Sequence, residues 1–337
     1  MEAKAGNNRL KRFMSTRGMG QVLTVTSGLI ILCVVFGILN PNFFSSRNVA
    51  NLLRQIAPII IIGIGQSYVL ITGNIDLSIG SLVGMSCMMS ATLMTKGVNP
   101  WLSLIITYLA CIVIGILNGQ LVAKCKLPPF IATLGTMTIA RGIAQIVNNN
   151  YNTDSIGDRG ENFRNIFYYG KTLGFYNTIW IALLLWVIFN FILSKTRTGR
   201  HVYAVGSNIN AAHLSGVNVD STTTKVYIIS AICAGTVGLI TTATSGMGTM
   251  DAGTGYEMYA VAASVIGGVS TLGGQGILLG TVVGASIWGV LQNGLQFAGA
   301  PVAIRNIVIG IIVVVSVLLD IVVRSNKGRI RVKGKAK

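Results

Sequence analysis

The chain reads as an all-α membrane protein of about ten transmembrane helices, both termini cytoplasmic, with some segments broken or re-entrant. Three observations lead there. Of 337 residues, 52% are hydrophobic and only 10% charged, far below the roughly 25% charge of soluble domains. The apolar residues gather into runs close to the ~20 residues that a helix needs to cross hydrocarbon. The basic residues gather between and beyond those runs, and ten crossings place both tails on one face.

In chain order, a basic N-tail (1–20) with Lys4, Arg9, Lys11, Arg12 and Arg17 precedes a first span at 21–39. That span ends at Asn40-Pro41-Asn42 with no small-residue cleavage site, so it is expected to be an uncleaved helix. Further spans are expected at 56–73, 76–94, 101–123, 128–147, 177–194, 226–244, 256–270, 276–297 and 302–323. They form one transmembrane domain over 21–323, followed by a basic C-tail (324–337) that holds Arg324, Lys327, Arg329, Arg331, Lys333, Lys335 and Lys337. Residues 41–55, 96–100 and the polar loop 148–176 are assigned to the outer side, the last as a solvated loop or docking surface. Two pairs of spans are joined by very short turns, 73–76 and 271–275, where broken backbone is expected. Ser67–Gly84 and Ala263–Gly280 echo one another around those turns, with Val69/Val265, Gly80/Gly276, Leu82/Leu278 and Gly84/Gly280 in register.

The net charge of +17 would suit a nucleic-acid partner. Its position in the tails and in two internal loops (Lys124, Lys126, Lys195, Arg197, Arg200, Lys225) instead follows the positive-inside bias. Contact with membrane lipid headgroups is expected and no nucleic acid. The five cysteines are scattered without metal or CxxC spacing, so no metal site or disulfide is implied. No phosphate loop of the G-x-x-x-x-G-K-[ST] type occurs, and no nucleophile stands near a base. The chain is expected to hold no cofactor and not to be an enzyme.

Polar groups inside apolar runs are the candidate site. Asp76 sits at a break, either as the cap of the following helix or as a ligand. Arg141 and Glu257 are candidates for an ion pair, with an outward-reaching Arg141 as the alternative. Gln66, Asn74, Asn118, Phe130, Thr133, Thr136, Gln292 and Asn293 can line a solute path, or the polar ones can act as interhelical hydrogen-bonding glue.

The polar stretch 195–225 is too long and hydrophilic to lie in hydrocarbon. Its middle, 210–215, reads as a short helix, capped by Asn208 and ended by Gly216. Together with Thr72-Gly73-Asn74-Ile75-Asp76-Leu77-Ser78-Ile79-Gly80-Ser81, Pro129-Phe130-Ile131-Ala132-Thr133-Leu134-Gly135, Gly253-Thr254-Gly255-Tyr256-Glu257 and the glycine-rich 266–276 run, this stretch resembles the permease subunit of ribose- and galactose-type sugar ABC importers. The likeness runs from about Pro41 to Asp320.

The resemblance implies a bacterial plasma-membrane protein that forms the pathway for a monosaccharide. A second permease copy, an ABC ATPase that binds ATP and Mg, and an extracytoplasmic sugar-binding protein are its implied partners. It also implies that Gly206, Asn208, Ala211, Ala212, Ser215 and Gly216 belong to a coupling helix that docks on the ATPase. The chain departs from the family pattern at Tyr259, where relatives carry an Asp, and around Arg305-Asn306 and Ile309, so the sugar can differ from ribose. A nucleoside or polyol permease of the same architecture is the alternative. An ion-coupled secondary transporter, running alone, is the alternative from another class.

Overall fold

Hydrophobic runs in this chain become helices whose ends are set by polar caps and glycine rather than by the limits of the apolar run. The computed structural model describes residues 19–318, save Asn306, Ile309, Val313 and Ser316. The expectations for Asn306 and Ile309, for both basic tails and for the end of the last span therefore lie outside the described residues. The principal helices are α1 (Met19–Leu39), α2 (Ser46–Ile71), α3 (Ile79–Thr95), α4 (Pro100–Ala123), α5 (Pro129–Ile146), α6 (Asn177–Lys195), α7 (Arg197–Ser207), α8 (Ile209–Leu214), α9 (Val219–Ser245), α10 (Tyr256–Ile266) and α11 (Leu278–Phe297). A further apolar helical segment covers Val302–Ile312.

Among the described residues six helices are long and apolar enough to cross a membrane: Val22–Leu39 of α1, and α2, α4, α6, α9 and α11. The 17-residue α3 and 11-residue α10 reach only about 25 and 16 Å at 1.5 Å per residue, short of the ~30 Å hydrocarbon core. The span expected at 256–270 thus stops at Ile266, because glycines at 267 and 268 end it, the second with φ +90°.

The start of α2 corrects the expected outer loop at 41–55. Pro41–Phe44 forms a 3-10 turn, and α2 begins at Ser46, where the Ser45 side chain accepts the Asn48 amide. The first turns carry Arg47, Asn48, Asn51, Arg54 and Gln55, so the helix runs well beyond its apolar portion. Pro58 lies inside α2 without ending it.

At the core, α9 is buried along most of its length and packs on α2, α3 and α4. Small residues allow this: Gly115 and Gly119 of α4 approach Tyr227 and Thr224 of α9, and Gly238 of α9 meets Ser86 of α3. α10 and α11 form an antiparallel pair against α2, closed by Gly267 on Gly280 and by Gly284 on Ala263. Where α2 begins, the 148–176 loop is ordered by short helical turns over 158–169 and a two-stranded hairpin, Lys171–Thr172 with Phe175–Tyr176. The Arg54 guanidinium is stacked between the rings of Tyr168 and Tyr176, 4.3 Å from each, which ties that loop to α2.

Candidate translocation and coupling sites

The two short turns singled out in the sequence meet in space. After α2 the backbone turns at Gly73 (φ +79°) and continues without regular structure to Ser78; after α10 it turns at Gly268, Gly273 and Gly274. The Gly274 amide donates to the Ile71 carbonyl (2.8 Å), joining the two breaks directly. Gly206 of α7 sits in the notch between them: a Cβ there would strike the Ile71 carbonyl and the Gly274 amide. Tyr203, one turn earlier on α7, donates its hydroxyl to the Gly276 carbonyl (2.6 Å).

From that seat α7 leads into α8. The Asn208 side chain accepts the Ala211 amide at 2.9 Å, and Gly216 follows the helix at φ +79°. Both expected caps are therefore formed. Ala212 is buried with Val205 and Val219 in a small apolar cluster. Asn208, Ala211, Ser215 and Gly216 are exposed, and so are Ile209 and Leu214, the latter at 87%. The exposed leucine thus projects as a knob from a six-residue helix anchored by one buried alanine.

Asp76 is fully buried. Its Oδ1 accepts the Ser78 amide (2.9 Å) and the Ser78 hydroxyl (2.6 Å), and its Oδ2 accepts the Ser230 hydroxyl (2.7 Å). The capping position of α3 is Ser78, so Asp76 braces the entry turn from two residues before the cap. The chain continues: Asn118 donates to the Ser78 hydroxyl (2.9 Å), and Thr136 donates to Asn118 Oδ1 (2.6 Å). One polar line thus ties the first break to α9, α4 and α5. Of the serines that complete it, Ser78 stood in the sequence only as part of the 72–81 run and Ser230 in no motif; Ser230 lies 154 residues from Asp76, beyond the reach of any local pattern.

The remaining candidates separate. Asn293 exchanges hydrogen bonds with Asn48 (2.9 and 3.1 Å) near the start of α2. Thr133 donates to its own helix at Pro129 (2.8 Å), Asn74 donates to Thr72 (2.9 Å), and Phe130 is exposed. Gln292 is half-buried. Gln66 is fully buried, and neither its amide nitrogen nor its oxygen has a partner. Arg305 is partly buried with its Nε unpartnered.

The expected Arg141–Glu257 ion pair is not formed. Arg141 donates to the carbonyls of Met250 (2.8 Å) and Ala252 (3.0 Å), because the turns over 249–255 bring backbone oxygens to it first. Glu257 lies one turn along α3, its carboxylate against Gly80, whereas Arg141 packs at Gly84. Among the described residues the one ion pair is Lys126–Asp220, 3.4 Å apart and exposed.

A bundle of apolar helices long enough to cross a membrane, interrupted at two breaks that touch, defines a multi-pass membrane protein. Residues 48–317 match the family described as branched-chain amino acid transport system / permease component, and this chain belongs to that family. It is 37% identical over 304 residues to the ribose import permease of Bacillus subtilis (strain 168), covering 90% of this chain and 94% of that one. To the ribose import permease of Escherichia coli (strain K12) it is 34% identical, covering 87% and 91%. To the D-allose transport system permease of the same strain it is 35% identical, covering 87% and 89%. No solved structure matches. The chain is a permease subunit of an ABC importer and not an enzyme; its family implies an ATPase and a substrate-binding protein as partners.

Proposed function

We propose that the chain forms the membrane pathway for a monosaccharide of the ribose, allose or galactose kind, working as a pair of like copies in a bacterial plasma membrane. The relatives' sugars support the cargo class, since their likeness covers nearly the whole chain. In this reading all ten apolar segments enter the membrane, α3 and α10 as half-crossings completed by the two breaks, and both basic tails face the cytoplasm. ATP and Mg are bound by the ATPase, α8 docks on it, and the binding protein delivers sugar from the other side. The observation that carries the reading is the seat of α7: the segment bearing the exposed knob touches both breaks at Gly206. A pull on α8 therefore acts at the points where the spanning helices are interrupted.

Substituting exposed α8 residues, Ala211→Trp or Leu214→Asp, leaves the buried Ala212 anchor intact, so membrane insertion is expected to be normal. Sugar uptake should fall within the about 5–150-fold range of allosteric coupling energies, and the ATPase should no longer co-purify. Undiminished uptake in both variants would reject the docking role. Competition among ribose, allose, galactose, a polyol and a nucleoside in the same cells assigns the cargo.

A further inference from the structure

We infer that Gln66 is a solute-contact residue, held without partners in the present conformation and used when the seam beside it opens; this rests on the proposed transport of a polyhydroxy solute. Successive residues of a helix point about 100° apart, and this places Gln66 between two packed faces of α2. On one side the bare α-carbon of Gly65 meets Ser230 and Cys233 of α9. On the other, the Ser67 hydroxyl donates to Ser264 (3.0 Å) and pairs with Thr281 (2.7 Å), on α10 and α11. Gln66 therefore faces the seam between α9 and the α10–α11 pair, and the same stripe of α2 runs past Val69 toward Gly73, where the two breaks touch.

Every hydroxyl beside the seam is satisfied: Ser67, Ser264, Thr281 and Ser230 each have a partner. Gln66 is not. Among the described residues it is the one side chain with two separate polar atoms buried and unpaired. Such a group destabilises the state that buries it, and an apolar side chain of equal size would serve packing better. A primary amide presents a donor nitrogen and an acceptor oxygen side by side on one carbon, the complement of two neighbouring sugar hydroxyls. Motion of the breaks by α7 would part α10–α11 from α9 at this stripe and give the amide its partners.

The test uses the assembled importer, with its ATPase and binding protein, carrying Gln66→Leu or the shorter amide Gln66→Asn. The Leu variant is expected to unfold at a higher temperature than the parent while ribose uptake falls at least about tenfold, as for a site built to hydrogen-bond a hydroxyl. The Asn variant should retain part of the uptake. A lower unfolding temperature for Gln66→Leu would reveal a partnered structural glutamine and overturn the inference. Unchanged uptake with raised stability would overturn it equally. Failure of the unsubstituted importer to move any sugar bears on the proposed cargo and is read separately, with the same variants then scored on the solute that it does carry.

Discussion

A buried carboxylate in a membrane protein needs its charge or its hydroxyl satisfied locally, because hydrocarbon supplies no water. Asp76 meets that need with three donors from Ser78 and Ser230. Truncating it strands a backbone amide and two hydroxyls. At about 1–3 kcal/mol per buried unsatisfied group, Asp76→Ala is expected to lose roughly 3 kcal/mol or more. Asp76→Asn keeps the acceptor for Ser78 and lets the Ser230 hydroxyl rotate to accept, so it should lose about 1 kcal/mol. The Asn48–Asn293 pair gives the comparison: two exchanged side-chain bonds, so Asn293→Leu should lose only about 1.2 kcal/mol at the roughly 0.6 kcal/mol mean for each interhelical bond in membranes. Thermal unfolding of the three purified variants checks the order, and Asp76→Ala unfolding no earlier than Asn293→Leu would refute the bracing role.

At the level of elements, the glycines divide into those that fill a notch and those that set a turn. Gly206 has backbone on both sides of its missing side chain, so Gly206→Val must push α7 off the breaks. Gly216 has open space around it and only its φ of +79° to defend; Gly216→Ala should lose about 1–2 kcal/mol and keep its uptake. Gly206→Val is expected to abolish uptake and lower the unfolding temperature further than Gly216→Ala does. Equal uptake by the two variants would mean that contact of α7 with the breaks transmits nothing.

The same elements show what was legible in the sequence and why. The two breaks, the Asn208 cap and the Gly216 stop depend on local residue chemistry, and they were read from it. The start of α2 was misplaced because its first turns are stabilised by a serine cap and by packing of the 148–176 loop, neither of which leaves an apolar run. Arg141 was paired with Glu257 because charges are visible in a sequence and carbonyls are not. The line from Ser230 to Thr136 joins four helices through hydroxyls, one amide and the Asp76 carboxylate, and nothing in the spacing of those residues announces it.

For the whole molecule the question is how many copies make one pathway. Most polar side chains that could line a route within one chain are already bonded to one another, as Asn118, Thr136 and Asn293 are. The flank of α5 exposes Phe130, Ile131, Leu134 and Ile139, an apolar surface suited to lipid or to a like copy. Two copies related by a closed two-fold axis would place two knobs under one pathway, so that both must be docked for a cycle to complete. Cells expressing equal amounts of parent and Ala211→Trp chains separate the cases. If each importer draws two chains at random and needs both knobs, uptake should fall to about one quarter of the parent level, whereas independent single-chain pathways would leave about one half. Uptake measured across a series of mixing ratios should then follow the square of the parent fraction, and a straight line would reject the paired arrangement.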